Sequence, residues 1–522
     1  MMKCILICLL IGTHFKQWCY GARILGLFPY NGRSHFIMYE ALLKALATRG
    51  HQVDVLSHFP QKTRLENYTD LNVEESLRPV INNLPMQIVE TFHPISVLQF
   101  LVKENVNVCE KVFKHPVVKD LLNSTQTYDL IITEIFGTDC FLGFVHKFKS
   151  PYISLISSVI LPWANDRIGN PENTAYIPNY FLPYTEAMTF TQRTVNTVFS
   201  ICVKWYYYFF SERPAQRIAG QYFGKDLPPL SDIANNMSFL LVNSHFSLQQ
   251  PRPMVPAVVE VGGIHIQEPR SLPEDLQRFI NESEHGVIYF SFGSMVQCET
   301  MPQEKLKALL GAFKELPQRI LWKCKEDAFQ ELPSNVKLLK WIPQNDVLAH
   351  PKVVLFITHG GLLGTQEAIY SGVPMVGIPL FADQELNIEA YVKEGISVKL
   401  KYSSVNKESV LKAVKTVLDN PSYRENAHKM SQLFRDRPQT PLQTAIYWTE
   451  YVIRHRGAPH LRSSAMSLAW YQYLLLDVAA FLILTAAIFV ALFYMLIRRF
   501  IKGFDINFNK YQLFNPSKLK LY

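Results

Sequence analysis

The chain of 522 residues is poor in charge, with Asp, Glu, Lys and Arg making up 18% and hydrophobic residues 48%. That balance excludes a disordered chain. Glycine (23) and proline (31) are at ordinary usage, which excludes a collagenous or low-complexity architecture. No short self-similar period occurs, so a solenoid is excluded too. Charge of one sign is scarce except at one end. The net charge is +8, but residues 498–522 alone hold six Lys/Arg against the single acid Asp505. The remainder is close to neutral, and no nucleic-acid partner is expected. Cysteine is sparse: eight residues, of which Cys4, Cys8 and Cys19 fall in a leader. The other five (Cys109, Cys140, Cys202, Cys298, Cys324) are odd in number and unclustered. They predict neither a disulfide scaffold nor a zinc site, but mostly small buried hydrophobes. Asp-x-Asp is absent from the whole chain, and no metal or other cofactor is expected.

Two apolar segments set the compartment. Lys3, the apolar run Cys4–Gly12 and small residues before a cut after Gly21 read as a signal peptide over 1–21. Val478–Ile497 has no charge and is followed by Arg498, Arg499 and Lys502. About 20 such residues span a bilayer as a helix. The leader sets the orientation: a lumenal ectodomain, a single type I span at 474–497 and a cytosolic basic tail at 498–522. The tail's Lys518 and Lys520 resemble a dilysine retrieval signal, which implies the endoplasmic reticulum membrane. Four N-glycosylation sequons, at Asn67, Asn123, Asn236 and Asn281, all fall on the lumenal side.

The ectodomain reads as two α/β series. Ile24–Phe28 is a strand, Asn31-Gly32 a turn, and Tyr39, Leu42, Leu43 and Leu46 a helix stripe that Ser34 can cap and Gly50 ends. Val53–Ser57, Leu130–Thr133, Tyr152–Ile156 and Phe239–Val242 are further strands. A second series runs through Val287–Phe290, Ile320–Trp322, Val336–Leu339, Val353–Ile357 and Met375–Ile378. Pro251, Pro253, Pro256, Pro269 and Pro273 mark a linker at 251–273. Residues 22–250 form one lobe and 274–460 the other, with closing helices. The aromatic run Trp205–Phe210 fits either a core helix or a contact with a membrane interface or apolar substrate path.

Strand Val353–Ile357, then Thr358-His359-Gly360-Gly361 and a helix through Glu367, form a phosphate cradle: free amides and the positive helix end face an anion. Together Trp341-x-Pro-Gln344, His359-Gly-Gly, Glu367 and Phe381-Ala-Asp383-Gln384 resemble the signature of the UDP-glycosyltransferases, animal glucuronosyltransferase type. The wording Leu-Leu-Gly-Thr-Gln-Glu is similar to an invertebrate branch. The resemblance implies a GT-B fold: α/β, two doubly wound Rossmann-like domains facing a cleft, plus one C-terminal transmembrane helix. The second lobe then binds a UDP-sugar as co-substrate and the first a small lipophilic acceptor. Trp341 would stack on uracil, Gln344 and Glu367 would bind ribose, and His359, Gly360, Gly361 and Gly364 would line the diphosphate site. Asp383 and Gln384 would hold sugar hydroxyls, while Ser291, Gly293 and Ser294 resemble a second donor loop. One position departs from many relatives, Leu363 standing where they have Asn.

In the first lobe, Gly32-Arg33-Ser34-His35 ends the first strand, and the resemblance makes His35 the catalytic base. A carboxylate should orient it. Asp139 resembles the acid of this branch and is preferred, with Glu134 the alternative. Inverting transfer of glucose or glucuronic acid to small lipophilic hydroxyl compounds, of detoxification type, follows from the resemblance. The alternatives are a membrane-anchored binding protein without chemistry, and an enzyme dedicated to one lipid acceptor. Lys352 is the only cation within 341–384. A glucuronate carboxylate would need Arg252 or Arg270 from the linker, which favours UDP-glucose. The oligomeric state, including a homo-oligomer, stays open.

Overall fold

The computed structural model describes residues 21–325, 329 and 331–512, with side chains described as far as Lys502. The leader up to residue 20 and the pair Lys518 and Lys520 lie outside the described residues. The first lobe starts as the hydrophobic pattern dictates. Strand β1 (Arg23–Phe28) leads through a short turn to helix α1 (Arg33–Thr48) and strand β2 (Gln52–Ser57). Helix α1 buries the expected stripe of Tyr39, Leu42, Leu43 and Leu46. It starts directly behind Gly32, so Ser34 lies inside the helix and does not cap it. Next come β3 (Tyr68–Asn72), β4 (Leu84–Pro85), α2 (Pro94–Val112), β5 (Leu130–Glu134), β6 (Tyr152–Ile156), α3 (Phe190–Tyr207), β7 (Phe239–Val242) and β8 (Val258–Glu260). Seven strands pair in parallel in the order β3-β2-β1-β5-β6-β7-β8. The central strands are buried on both faces, as parallel strands under helices are.

The second lobe contributes β9 (Val287–Ser291), β10 (Val296–Gln297), β11 (Arg319–Lys323), β12 (Val336–Leu339), β13 (Val353–Thr358), α4 (Leu362–Tyr370), β14 (Met375–Gly377), α5 (Gln384–Lys393) and β15 (Ser397–Lys399). Its parallel sheet has the order β12-β11-β9-β13-β14-β15. Both sheets reverse their strand order, which puts binding crevices beyond the strands' carboxyl ends.

The lobes are less separable than the proline-rich segment suggests. Strand β8 lies within 251–273, and instead of linking it completes the first sheet against β7. Strand β4 leaves the first lobe to pair with β10, and Leu84, Met86 and Val89 enter the second lobe's core. Helix α6 (Pro441–Arg454) returns to the first lobe, where Trp448 stacks on Phe239 at 4.8 Å and Glu450 accepts from Arg49 Nε at 2.6 Å.

The cysteine expectation is corrected. Cys109 pairs with Cys140, and Cys298 with Cys324, leaving Cys202 free and exposed among the described residues. Partners 31 and 26 residues apart meet only once helices and strands are packed, so spacing alone does not show the pairs. All four sequon asparagines are exposed. The aromatic run is not a core helix. Helix α3 buries Asn196, Ser200, Val203 and Tyr207, while Phe190, Val198, Ile201, Trp205 and Phe210 are exposed.

From Ser464 on, the described residues form a separate unit. Helix α7 (Leu476–Gln512) contains a 27-residue apolar stretch, Leu476–Lys502, whose most apolar 18 residues have a mean hydropathy of 2.7. At 1.5 Å per residue it is about 40 Å long, enough to cross a bilayer core of about 30 Å.

Candidate active site

The turn after β1 carries His35 on the first turn of α1, and β5 ends on Glu134. Both lie at carboxyl ends of adjacent strands, so their side chains meet. His35 Nδ1 is 2.5 Å from Glu134 Oε1 and 2.9 Å from Ser157 Oγ. The Tyr39 hydroxyl donates to the same Glu134 oxygen at 2.6 Å. An Nδ1–H aimed at a carboxylate leaves Nε2 with a free lone pair, the state a general base needs. The rings of Phe136 (4.4 Å) and Tyr30 (4.8 Å) hold the imidazole in place.

Asp139 is elsewhere, which corrects the preferred pairing. Its carboxylate takes both arms of the Arg167 guanidinium, one at 2.7 Å from Nη1, and the Tyr207 hydroxyl donates to it at 3.1 Å. Asp139, Arg167 and Tyr207 are all buried. This is an ion pair of the lobe's interior. Five residues beyond Glu134 the chain has turned away from the strand's end into the core. The resemblance could not show this, whereas the strand-end position of Glu134 could.

On the facing lobe, the motif residues gather at the ends of β9, β11 and β13. Trp341 is 63% exposed, a ring presented to the cleft rather than packed in a core. Lys323 Nζ lies 4.9 Å from its ring centroid and donates to the Gly293 carbonyl at 2.9 Å. Gln344 accepts from the Tyr289 hydroxyl at 3.0 Å and donates to Glu367 at 2.6 Å. His265 Nε2 donates to the Leu363 carbonyl at 3.1 Å and lies 3.5 Å from Glu367. Burial pushes the Glu367 carboxyl up to about 7, against the opposing pull of Gln344 and Lys323. Ser291 accepts from the Gly293 amide at 3.1 Å, and Ser294 lines the cleft.

The His359 ring lies against Gly293 and Gly361. A Cβ built on either glycine would fall 2.6 Å from His359 Nε2, so no side chain fits there. Gly293 also has φ +81°, which only glycine adopts at little cost. Burial, with Lys323 nearby, lowers His359 to about 3, so at pH 7 it is a neutral hydrogen-bonding ring. Burial likewise lowers Lys323, to about 8, where it remains mostly cationic. The positive charge beside the cradle is therefore Lys323, with the N-terminus of α4 behind Gly361. Gly364, one turn along, lines the same cleft.

Asp383 and Gln384 start α5. Gln384 Oε1 accepts from the amides of Leu380 (2.9 Å) and Phe381 (3.0 Å), which leaves its NH₂ to donate. Asn387 donates to Asp383 (3.1 Å) and to the Gly360 carbonyl (3.1 Å), tying the sugar end to the cradle. Burial pushes Asp383 up to about 6, with Asn387 and His35 pulling the other way. Its interaction with His35 brings residues of the two lobes together. One cleft of about 480 Å³ is lined by His35, Trp341, His359, Glu367, Asp383 and Gln384 among others.

Sequence reasoning missed Lys323, Tyr289, His265, Ser157 and Asn387. Lys323 ends β11, and the strand-end rule that selects His35 would have found it. Asn387 stands one helical turn from Asp383, a spacing at which side chains meet. Ser157, just beyond β6, and His265 have no comparable local signal. Arg252 does not line the cleft; burial pushes its pKa down, and Glu260 and Glu172 are the charges that oppose this. Arg270 does line it, beside Asp346, whose carboxylate accepts from its amide at 3.0 Å. Lys352 is spent on the carbonyls of Asn281 and Ser283.

Solved structures share this fold at low identity. A UDP-glucose:anthocyanidin glucosyltransferase in complex with UDP superposes with TM-score 0.53 and 18% identity, covering 83% of this chain and 99% of that one. A calicheamicin glycosyltransferase gives the same values. These neighbours are GT-B glycosyltransferases, and the two-sheet architecture here is GT-B. Among curated proteins, UDP-glucosyltransferase 2 of Dactylopius coccus is 44% identical over 472 residues, covering 90% of this chain and 91% of the relative. UDP-glucuronosyltransferase 1-2 of Rattus norvegicus is 33% identical over 485 residues, covering 89% of each. The profile described as "UDP-glucoronosyl and UDP-glucosyl transferase" matches residues 23–511, and with it the cleft, the cradle and the apolar C-terminal helix agree: the chain belongs to that family, whose members transfer a sugar from a UDP-sugar.

Proposed function

We propose that the chain transfers glucose from UDP-glucose, with inversion, to a hydroxyl of small lipophilic acceptors, in a detoxifying role. The observation that carries the chemistry is His35, backed by Glu134, facing Asp383 across one cleft. His35 Nε2 takes the acceptor's hydroxyl proton, and Glu134 stabilises the imidazolium that results. The acceptor oxygen forms a bond to the anomeric carbon as the bond to UDP breaks on the opposite face. A single displacement turns an α-linked donor into a β-glycoside. The charge on departing UDP falls on the amides around His359-Gly360-Gly361, the helix end and Lys323, with no metal called for. Asp383 and the Gln384 NH₂ hold sugar hydroxyls, Trp341 stacks on uracil, and Gln344 and Glu367 hold ribose.

The donor preference rests on charge placement. Lys323 and Arg270 stand near Trp341 and Asp346, at the proposed nucleotide end. Among the described residues, the cleft lining holds only Lys323 and Arg270 as Lys or Arg, and neither is shown pairing with Asp383 or Gln384, where a glucuronate carboxylate would need a cation. The 44% relative carries a glucosyltransferase name, in keeping with this. With both donors at equal concentration, UDP-glucose is expected to dominate the product. Excess glucuronide would overturn the assignment and make Arg270 the first residue to mutate.

The stacking role has its own test. Trp341→Ala should raise KM for the UDP-sugar by roughly tenfold, as loss of one base–aromatic stack does, with little change in kcat. An unchanged KM would remove Trp341 from the site.

The site faces the lumen of the endoplasmic reticulum, with the apolar helix as a single type I span. Two disulfides and four exposed sequons support an oxidising, glycosylating compartment. Endoglycosidase H treatment of microsomes with and without detergent tests this. A chain with no glycan, or one open to protease from the cytosolic face, would refute it.

A further inference from the structure

Helix α2 presents Val97, Phe100, Leu101, Glu104 and Asn105 to the cleft, the i, i+3, i+4, i+7, i+8 spacing of one helix face. Three of these are apolar, and the Asn105 amide is occupied by the Leu101 carbonyl at 2.8 Å. Glu104 differs from all of them. It is half-buried, and among the described residues it has no ion pair and no hydrogen bond.

The cleft that Glu104 lines also carries rings. Phe92 and Phe100 pack at 5.3 Å, Tyr30 and Phe136 at 4.9 Å, and all four line the cleft with Glu104. Glu104 is also close to the base. The Tyr30 hydroxyl feels the charges of both Glu104 and Glu134, while its ring lies 4.8 Å from the His35 ring. Of the cleft's own cations, Lys323 lies over Trp341 and donates to the Gly293 carbonyl, and the Arg270 guanidinium donates to Gln267 at 3.4 Å. A half-buried carboxylate with no protein partner keeps its acceptor oxygens free for an incoming group. An incoming cation would supply that partner, and the ring faces would add cation–π attraction.

We propose that Glu104, with the rings of Tyr30, Phe92, Phe100 and Phe136, is a cation subsite of the acceptor pocket, so that hydroxylated aromatic amines are preferred over neutral phenols and phenolic acids. The inference rests on the reading of His35 as the base and the first lobe as the acceptor lobe. The reacting hydroxyl sits at His35 and the ammonium at Glu104, both on the wall of one cleft.

Binding and transfer, measured separately, test the two readings apart. The probes are tyramine, para-propylphenol and para-hydroxyphenylpropionate, which share the phenol and differ in the charge at the far end. Calorimetry on the full chain in detergent, with UDP present, is expected to show tyramine bound about tenfold or more tighter than para-propylphenol, the scale of a hydrogen bond to a charged group. The phenolic acid should bind weakest. Glu104→Gln should bring the first two to nearly equal affinity, with UDP affinity in the same sample reporting an intact donor lobe. Tyramine bound no tighter than para-propylphenol by the wild-type chain overturns the subsite, and so does a preference that survives Glu104→Gln. Transfer of glucose to the probes is scored in parallel. Absence of transfer to any of them, with the binding preference intact, counts against the proposed reaction and not against the subsite.

Discussion

His35→Ala is expected to lower kcat by ~10²–10⁴-fold, the usual worth of a general base, while UDP affinity stays near the wild-type value. The two effects separate because the contributing residues come from different sheets. His35 hangs from the turn after β1, whereas the proposed UDP contacts lie at the ends of β9, β11 and β13. A strongly acidic phenol, already ionised at working pH, should recover part of the lost rate, since it needs no base. Near-full turnover of His35→Ala on an ordinary alcohol would show that the proton goes elsewhere.

The second large effect separates the two carboxylates. Glu134→Gln is expected to cut kcat by ~10²-fold or more. The amide keeps the shape but lacks the charge that stabilises an imidazolium 2.5 Å away. Its melting temperature should change little, because the Tyr39 hydroxyl can still donate to the amide oxygen and His35 Nδ1 keeps its contact with Ser157. Asp139→Asn should do the opposite. It leaves the Arg167 guanidinium buried without its counter-ion, a defect that typically costs about 3–5 kcal/mol. The protein should lose yield and melt earlier, yet the folded fraction should turn over at near wild-type kcat. Resemblance alone points to the reverse order. Stability and single-turnover rate measured on the same preparations decide it; a stable Asp139→Asn protein without activity would restore Asp139 as the partner of the base.

The donor half of the site was legible because its residues are close in sequence. Trp341 to Gln384 spans two strands, their turns, the short helix Gln344–Leu348, helix α4 and the start of α5, so local patterning places the residues before any packing is known. The main strands were legible for a similar reason. Runs such as Ile24–Phe28 and Val353–Ile357 are apolar on both faces, as strands of a covered parallel sheet are. Strands β3 and β8 escaped notice because they are edge strands with one neighbour each, β3 polar in composition and β8 only three residues long within a proline-rich stretch.

What the sequence determined by itself was the two-lobed α/β class, the cradle at His359-Gly360-Gly361, the position of His35 and the apolar C-terminal helix. Each rests on residues within a few turns or strands of one another, or on a run of composition. What only the tertiary structure decided was every pairing across distance. Glu134 rather than Asp139 meets His35 because β1 and β5 are neighbours in the sheet while the chain after Glu134 dives inward. The cysteines pair, and Lys323 reaches Trp341, for the same reason. Glu104 shows no signal in the sequence, where it is one acid on an amphipathic helix. Only the packing of α2 along the cleft turns it into a carboxylate without a partner, because charge in a protein is judged by what surrounds it and not by what adjoins it in the chain.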